Sequence, residues 1–459
     1  MSIPNDKELL SSRNSQSDVP DLEKGEATPK EETVADEHAK EPVEDPELGV
    51  ELEKHLSRKS TKKEDFVEKY PLTDLDAGLV GWDSQDDPSN PRNWPHKSKL
   101  FILFLVSAIT FLSPLASSIF APGIPFVNAA FHNTSELLGS FAVSVYVLGF
   151  AVGPLFLSPL SEIYGRCIVL NISNVFFCAF TLGCALAPNL GGLIAMRFLA
   201  GLGGSACLTI GTGVIADLFV ASQRGKAVAM YSMGILFGPI LGPICGGFIA
   251  QRAGWRWDMW VVLIVAVLLT AGLFVWQSET NHVVILNHKT LRLRKELQRP
   301  ELQNVINANK PAAALTPKAI LLNGITRPLK MLASQPIVLL CSLYMSFLFG
   351  LLFLFFTTIT SVFTRTYGWA PEMTGLAYLG IGIGNFLGIG FVAKTSDATI
   401  IKLAKKNNGK YEPEMRLPLC VFFGFLIPVS FFLYGWTAYY KVHWIGTFST
   451  LLSLPPSPH

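Results

Sequence analysis

Nine apolar stretches follow one another between about residue 100 and residue 437, each near the roughly 20 residues that a bilayer crossing requires. They fall at about 100–121, 138–160, 168–188, 191–217, 227–250, 259–277, 337–361, 374–392 and 417–437. A bilayer core offers no water to backbone N–H and C=O groups, so such spans must close their hydrogen bonds internally. The expected fold is therefore an all-α polytopic membrane protein. Composition agrees, because 16% of residues are charged, against about a quarter in soluble globular chains.

Charge divides the chain. Residues 1–90 hold 24 of the 35 acids but 11 of the 37 Lys and Arg, so an acidic head of net −13 precedes a body of net +15. The head is rich in Glu, Lys, Asp, Ser and Pro and too poor in apolar side chains to offset ordering entropy, which predicts a disordered tail. Met1–Asp6 lacks a charged-then-apolar leader, so the first span is expected to direct insertion. Basic residues gather after the second span (Arg166), the fourth (Arg224, Lys226), the sixth (from Lys289 to Lys330) and the eighth (from Lys394 to Arg416). The opposite side offers little beyond Arg252, Arg256 and Arg365. The positive-inside rule then puts the amino terminus and the long middle segment in the cytosol. The expected organisation is a tail at 1–90, a six-helix lobe at 91–280, a basic linker at 281–336, a partial second lobe at 337–437 and an atypical end at 438–459.

Several residue groups stand out within this frame. The run from Gly238 to Gly247, including Gly242, Pro243 and Gly246, predicts a kinked helix built for close contact with a neighbour. In the turn after the second span, Gly165 sits between Glu162 and Arg166, where charge-assisted hydrogen bonds could lock helix ends together. Asp217 and Arg224 lie at the same boundary and could join that latch. Arg197 lies inside the fourth span, where an arginine costs roughly 2.5–3.5 kcal/mol and should face a partner or a wet cavity. Tyr146, Tyr231, Tyr344, Phe347 and Asn385 are candidate lining for a central cavity, or else ordinary packing. Trp255-Arg256-Trp257-Asp258 and Trp94 read as interfacial anchors. Asn133-Thr134-Ser135 is a glycosylation sequon on the outer side. The seven cysteines show no CxxC pairing and no histidines at ligand spacing, so neither a disulfide framework nor a metal site or cofactor is expected.

The Gly238–Gly247 decapeptide resembles the GPxxGG antiporter signature of the major facilitator superfamily. Ser158–Arg166 resembles that superfamily's loop between helices 2 and 3, with Ser158 and Cys167 as departures. Asp87-Pro88-Ser89-Asn90-Pro91-Arg92-Asn93-Trp94 is similar to the segment preceding the first helix of fungal drug:proton antiporter-1 proteins. The resemblance implies a complete six-helix first lobe, an incomplete second lobe, proton coupling through Arg197, and proton-driven export of drugs, toxic metabolites or polyamines. It also implies a plasma-membrane monomer whose partners are protons, a small molecule and the bilayer, not nucleic acid. Three final helices that the family would have are missing after Gly446, and a truncated gene model is the expected reason. An inactive or regulatory remnant stays open as an alternative. Uptake of a nutrient is disfavoured, because Gln277-Ser278-Glu279-Thr280 lacks a sugar-porter signature. No span presents a nucleophile with a base, which argues against an embedded enzyme.

Overall fold

Long apolar runs become long helices. A computed structural model describes residues 70–308, 311, 316–407 and 417–443. The expected tail up to residue 69, Lys310, Lys410, Arg416 and the end beyond His443 lie outside the described residues. The helices in chain order are α1 (His96–Ser118), the short α2 (Ile124–Ala130), α3 (Glu136–Tyr164), α4 (Arg166–Ala185), α5 (Leu190–Leu218), α6 (Ala221–Arg252) and α7 (Arg256–Trp276). They continue with α8 (His282–Glu296), α9 (Pro317–Ser334), α10 (Pro336–Tyr367), α11 (Pro371–Lys406) and α12 (Leu417–Tyr439). Among the described residues, seven stretches are long and apolar enough to cross a membrane: the α1–α2 stretch, α3, α4, α5, α6, α7 and α10. These match the first seven expected spans, and α11 and α12 cover the eighth and ninth.

Two apolar clusters fill the first six spans. One joins Leu112, Phe120, Tyr146, Phe177, Leu193, Trp255 and Met259. The other joins Ile102, Val106, Leu170, Ile210, Ile215, Tyr231 and Leu273 nearer the Arg166 end. A third, separate cluster belongs to α10, α11 and α12, where Phe355 stacks on Phe431 with ring centroids 4.1 Å apart and Tyr378 donates to the Phe356 carbonyl at 2.6 Å.

The glycine-rich face of α6 meets α1. Any side chain on Gly242 would run into Ser118 and the Leu115 carbonyl, one on Gly238 into the Phe111 carbonyl, and one on Gly246 into the Ile119 carbonyl. The neighbour that the glycine-rich run was expected to approach is a helix of the same half, because every third or fourth position on α6 stacks on one stripe of α1. Contact with α11 comes from the neighbouring positions: Gly375 lies against Pro243 and Ile244, and Gly382 against Ile240. Pro239 and Pro243 are accommodated inside a helix that runs unbroken for 32 residues.

Residues 70–90, expected to belong to the disordered tail, are ordered. Strand β1 (Leu79–Val80) pairs in parallel with β2 (Gln303–Asn304), and the side chain of Trp82 is buried edge-on to His282. The Lys289 ammonium donates to the Gly81 carbonyl at 2.8 Å and to Asp83 at 2.6 Å. Asp87 accepts from the Asp83 and Ser89 amides, while Asn93 donates to the Gln85 and Asp87 carbonyls. A few apolar side chains and many side-chain-to-backbone bonds order this segment against the linker, a device that composition averaged over 90 residues hides. Trp94 is half-buried against the core cluster nearest it.

Candidate functional site

Arg197 is 1% exposed, so its insertion cost must be offset by protein groups. Its Nη2 donates to the Ser117 carbonyl of α1 at 3.0 Å, and Nη1 lies 3.9 Å from the Met259 sulfur of α7. The guanidinium sits over the rings of Phe120 and Tyr146, at 4.6 and 5.3 Å from their centroids. Desolvated cation–π contacts reach about 2 kcal/mol each, comparable with the roughly 2.5–3.5 kcal/mol insertion cost. Its Nε has no hydrogen-bond partner.

Close helix approach delivers Tyr146 to this spot. Any side chain at Gly201, one turn beyond Arg197, would collide with the Tyr146 carbonyl, so glycine there lets α3 and α5 touch backbone to backbone. The tyrosine hydroxyl then lies 3.2 Å from both Ser113 Oγ and the Ser113 carbonyl. Ser113 Oγ in turn donates to the Gly204 carbonyl at 2.9 Å. Beside this group, Asp258 occupies the first turn of α7, fully buried, with neither carboxyl oxygen hydrogen-bonded. Trp255 is 5% exposed and meets Phe120 and Phe131 edge-on. Of the expected anchor Trp255–Asp258, Trp255 and Asp258 instead face inward, whereas Trp257 is half exposed.

A second cluster lies at the Gly165 turn. Gly165 has φ +102°, a conformation that side chains other than glycine's rarely adopt. Across it, Glu279 accepts from the amides of Arg166 at 2.9 Å, Cys167 at 3.2 Å, Thr280 at 3.0 Å and Asn281 at 2.8 Å. A carboxylate at a helix amino terminus also complements the helix dipole. The Arg166 guanidinium reaches Asp217 at 3.5 Å and Ser161 Oγ at 2.5 Å. Arg224 donates to the Ala216 carbonyl at 3.1 Å instead of joining an ion pair. Glu162, expected in the latch, is exposed and stands apart from it. Its helical position points outward, and Glu279, 113 residues beyond Arg166, supplies the carboxylate. Sequence reasoning missed Glu279 because a capping acceptor so distant leaves no local spacing.

The expected cavity lining does not converge. Tyr146 belongs to the arginine site, and Tyr231 donates to the Cys207 and Leu208 carbonyls at 2.8 and 3.0 Å within the first-half core. Tyr344 lies beside Gly424, Phe347 is 62% exposed, and Asn385 is half-buried on α11. Aromatic residues are so common here that type alone carries no position. Asn133 is half-buried, its amide donating to Asn128 and the Ser135 carbonyl at 2.8 Å each.

At the opposite end from Gly165, Arg365 of α10 pairs with Glu136 of α3, and Arg252 of α6 with Glu372 of α11 at 3.4 Å. These contacts join the two halves there.

The profile of the Major Facilitator Superfamily matches residues 106–454. Among curated proteins, the chain is 44% identical over 370 residues to MFS-type transporter penM of Penicillium rubens, covering 81% of this chain and 72% of that one. It is 43% identical over 371 residues to Efflux pump radE of Floropilus chiversii, covering 80% and 68%. Among solved structures, the xylose transporter XylE from E. coli, in a partially occluded inward open conformation, superposes with a TM-score of 0.56 at 18% identity, covering 78% of this chain and 81% of that one.

Proposed function

This chain belongs to the Major Facilitator Superfamily, and from that premise we propose that it exports small organic molecules in exchange for protons. It is a membrane transporter and not an enzyme. Export is favoured by the likeness to a relative named as an efflux pump. The observation that carries proton exchange is the burial of Arg197 against two ring faces and a carbonyl, in the interior of a helix bundle. A fixed charge placed there at such cost is suited to sensing a second charge that comes and goes.

Transport then proceeds by alternating access of two helix sets about a midplane site. The Glu279–Gly165 cap and the Arg166–Asp217 pair brace one end of the first set, and the Arg365–Glu136 and Arg252–Glu372 contacts join the sets at the other. A conformational cycle requires contacts that differ between states. The two inter-set pairs break when the Arg365 end opens. By the positive-inside rule the Gly165 end faces the cytosol, and the plasma membrane is the proposed location.

The test is efflux from cells that express the chain, loaded with a panel of fluorescent apolar cations and neutral aromatic compounds. Active extrusion that a protonophore abolishes, and that Arg197→Ala removes at unchanged surface level, supports the reading. Extrusion unaffected by the protonophore contradicts it.

A further inference from the structure

We propose that Asp258 is the residue that binds and releases the coupled proton, with Arg197 as its charge partner. The inference rests on the proton-exchange reading above, because it names the group that reading needs. A guanidinium stays protonated throughout the accessible pH range. Arg197 can therefore stabilise or repel a charge, but it cannot itself carry the exchanged proton.

A carboxyl group is the natural complement, and the interior holds one. Among the described residues, the fully or nearly buried acids are Asp87 and Asp258. Asp87 lies before α1 and is saturated by the amides of Asp83 and Ser89. Asp258 lies inside the bundle with both oxygens unpartnered. An ionised carboxylate in that condition is strongly disfavoured, whereas a neutral acid is tolerated, so the arrangement described here suits the protonated form.

Arg197 is close by and has a donor to spare. Its Nη1 touches Met259, the residue next to Asp258, and its Nε has no partner. Phe120 lies beneath the guanidinium and edge-on to Trp255, so one aromatic wall borders both charged groups. The 3-10 turn at Gly123 approaches Asp258 so closely that a side chain there would contact Oδ2. The other titratable or charged groups around the pair are Tyr146 on α3, Cys184 on α4, Cys245 on α6 and Arg256 on α7. Arg256 donates to the Ala187 carbonyl and lies over Trp255. Among the described residues, no second acid lies beside the pair.

The step is a simple proton exchange. When the site opens to solvent, the Asp258 O–H bond breaks and the proton passes to water. The guanidinium, still charged, leaves the Ser117 carbonyl and pairs with the new carboxylate. Reprotonation from water on the other side of the membrane reverses both changes. Two charge states thus select two positions of Arg197, which spans α1, α5 and α7.

Infrared difference spectroscopy of the purified full chain in lipid nanodiscs tests this without a substrate. The wild type is expected to show a protonated-carboxyl band that titrates with pH and is lost in Asp258→Asn. In Arg197→Gln, which removes the cation, the same band should persist to higher pH, by tenfold or more in proton concentration. Asp258→Glu, which keeps the acid, should retain a shifted band, and it replaces Asp258→Asn if that variant does not fold. A wild-type spectrum identical to that of Asp258→Asn overturns the assignment, as does a band whose titration in Arg197→Gln is unshifted from the wild type. Protonophore-sensitive efflux surviving in Asp258→Asn removes Asp258 alone. An Asp258-dependent band in a chain whose efflux ignores the proton gradient removes antiport and leaves the protonation site.

Discussion

Arg197 and Glu279 illustrate two ways in which one side chain is held. Arg197 is held by planar stacking and a carbonyl, which a lysine cannot reproduce because its ammonium is compact and its donors are not coplanar. Arg197→Lys is therefore expected to keep the positive charge yet lose most transport, at least tenfold in efflux rate, with normal surface expression. Wild-type efflux by this variant counts against a geometric role. Glu279 accepts four backbone amides, and losing a helix cap costs about 0.5–2 kcal/mol. Glu279→Ala should lower the thermal midpoint of the detergent-solubilised protein, whereas Glu162→Ala should leave it unchanged. Equal effects of the two would restore Glu162 to the latch. Arg197 was legible in the sequence because an arginine in an apolar span is costly wherever it points. Asp258 was not, because it sits in a Trp-Arg-Trp-Asp string whose composition matches an interfacial belt, and only packing reveals which residues turn inward.

Elements carry the next level of specificity. The α1–α6 contact depends on Gly238, Gly242 and Gly246 meeting the carbonyls and side chains of Phe111, Leu115, Ser118 and Ile119. Gly242→Leu should separate the two helices and strongly reduce folded yield, measured by size-exclusion profile, and unchanged yield would contradict the packing account. The segment from residue 70 to α1 is held partly by Asp87. Burial raises its proton affinity, but amide bonds from Asp83 and Ser89 and the charge of Lys289 outweigh this and hold its carboxyl below the ordinary range. A lowered folded value adds stability that is present above the unfolded value of about 3.9 and lost as pH falls through the folded one. Proteolysis within residues 70–95 should accelerate in that acid window in the wild type, and Asp87→Asn should be equally sensitive at neutral pH. The helical spans were legible from apolar run length, which a bilayer enforces. The β1–β2 pairing was not, since two-residue strands 224 positions apart leave no periodicity.

At the scale of the whole molecule, a first half with two continuous apolar clusters is joined to α10, α11 and α12, which own a separate aromatic core. Separate cores suit the proposed cycle, in which the halves move as units and the charged pairs at one end break. Arg365 and Glu136 are both more than half exposed, so their pairing contributes at most about 1 kcal/mol. It is suited to breaking in each cycle. Coupling of an organic solute to protons is measurable in proteoliposomes of the purified full chain. Rhodamine 6G flux should be measured with and without an imposed pH gradient, in the wild type and in Arg197→Ala. Gradient-driven flux is expected in the wild type, collapsing with a protonophore and absent in Arg197→Ala. A wild-type flux that is the same with and without the gradient would contradict it.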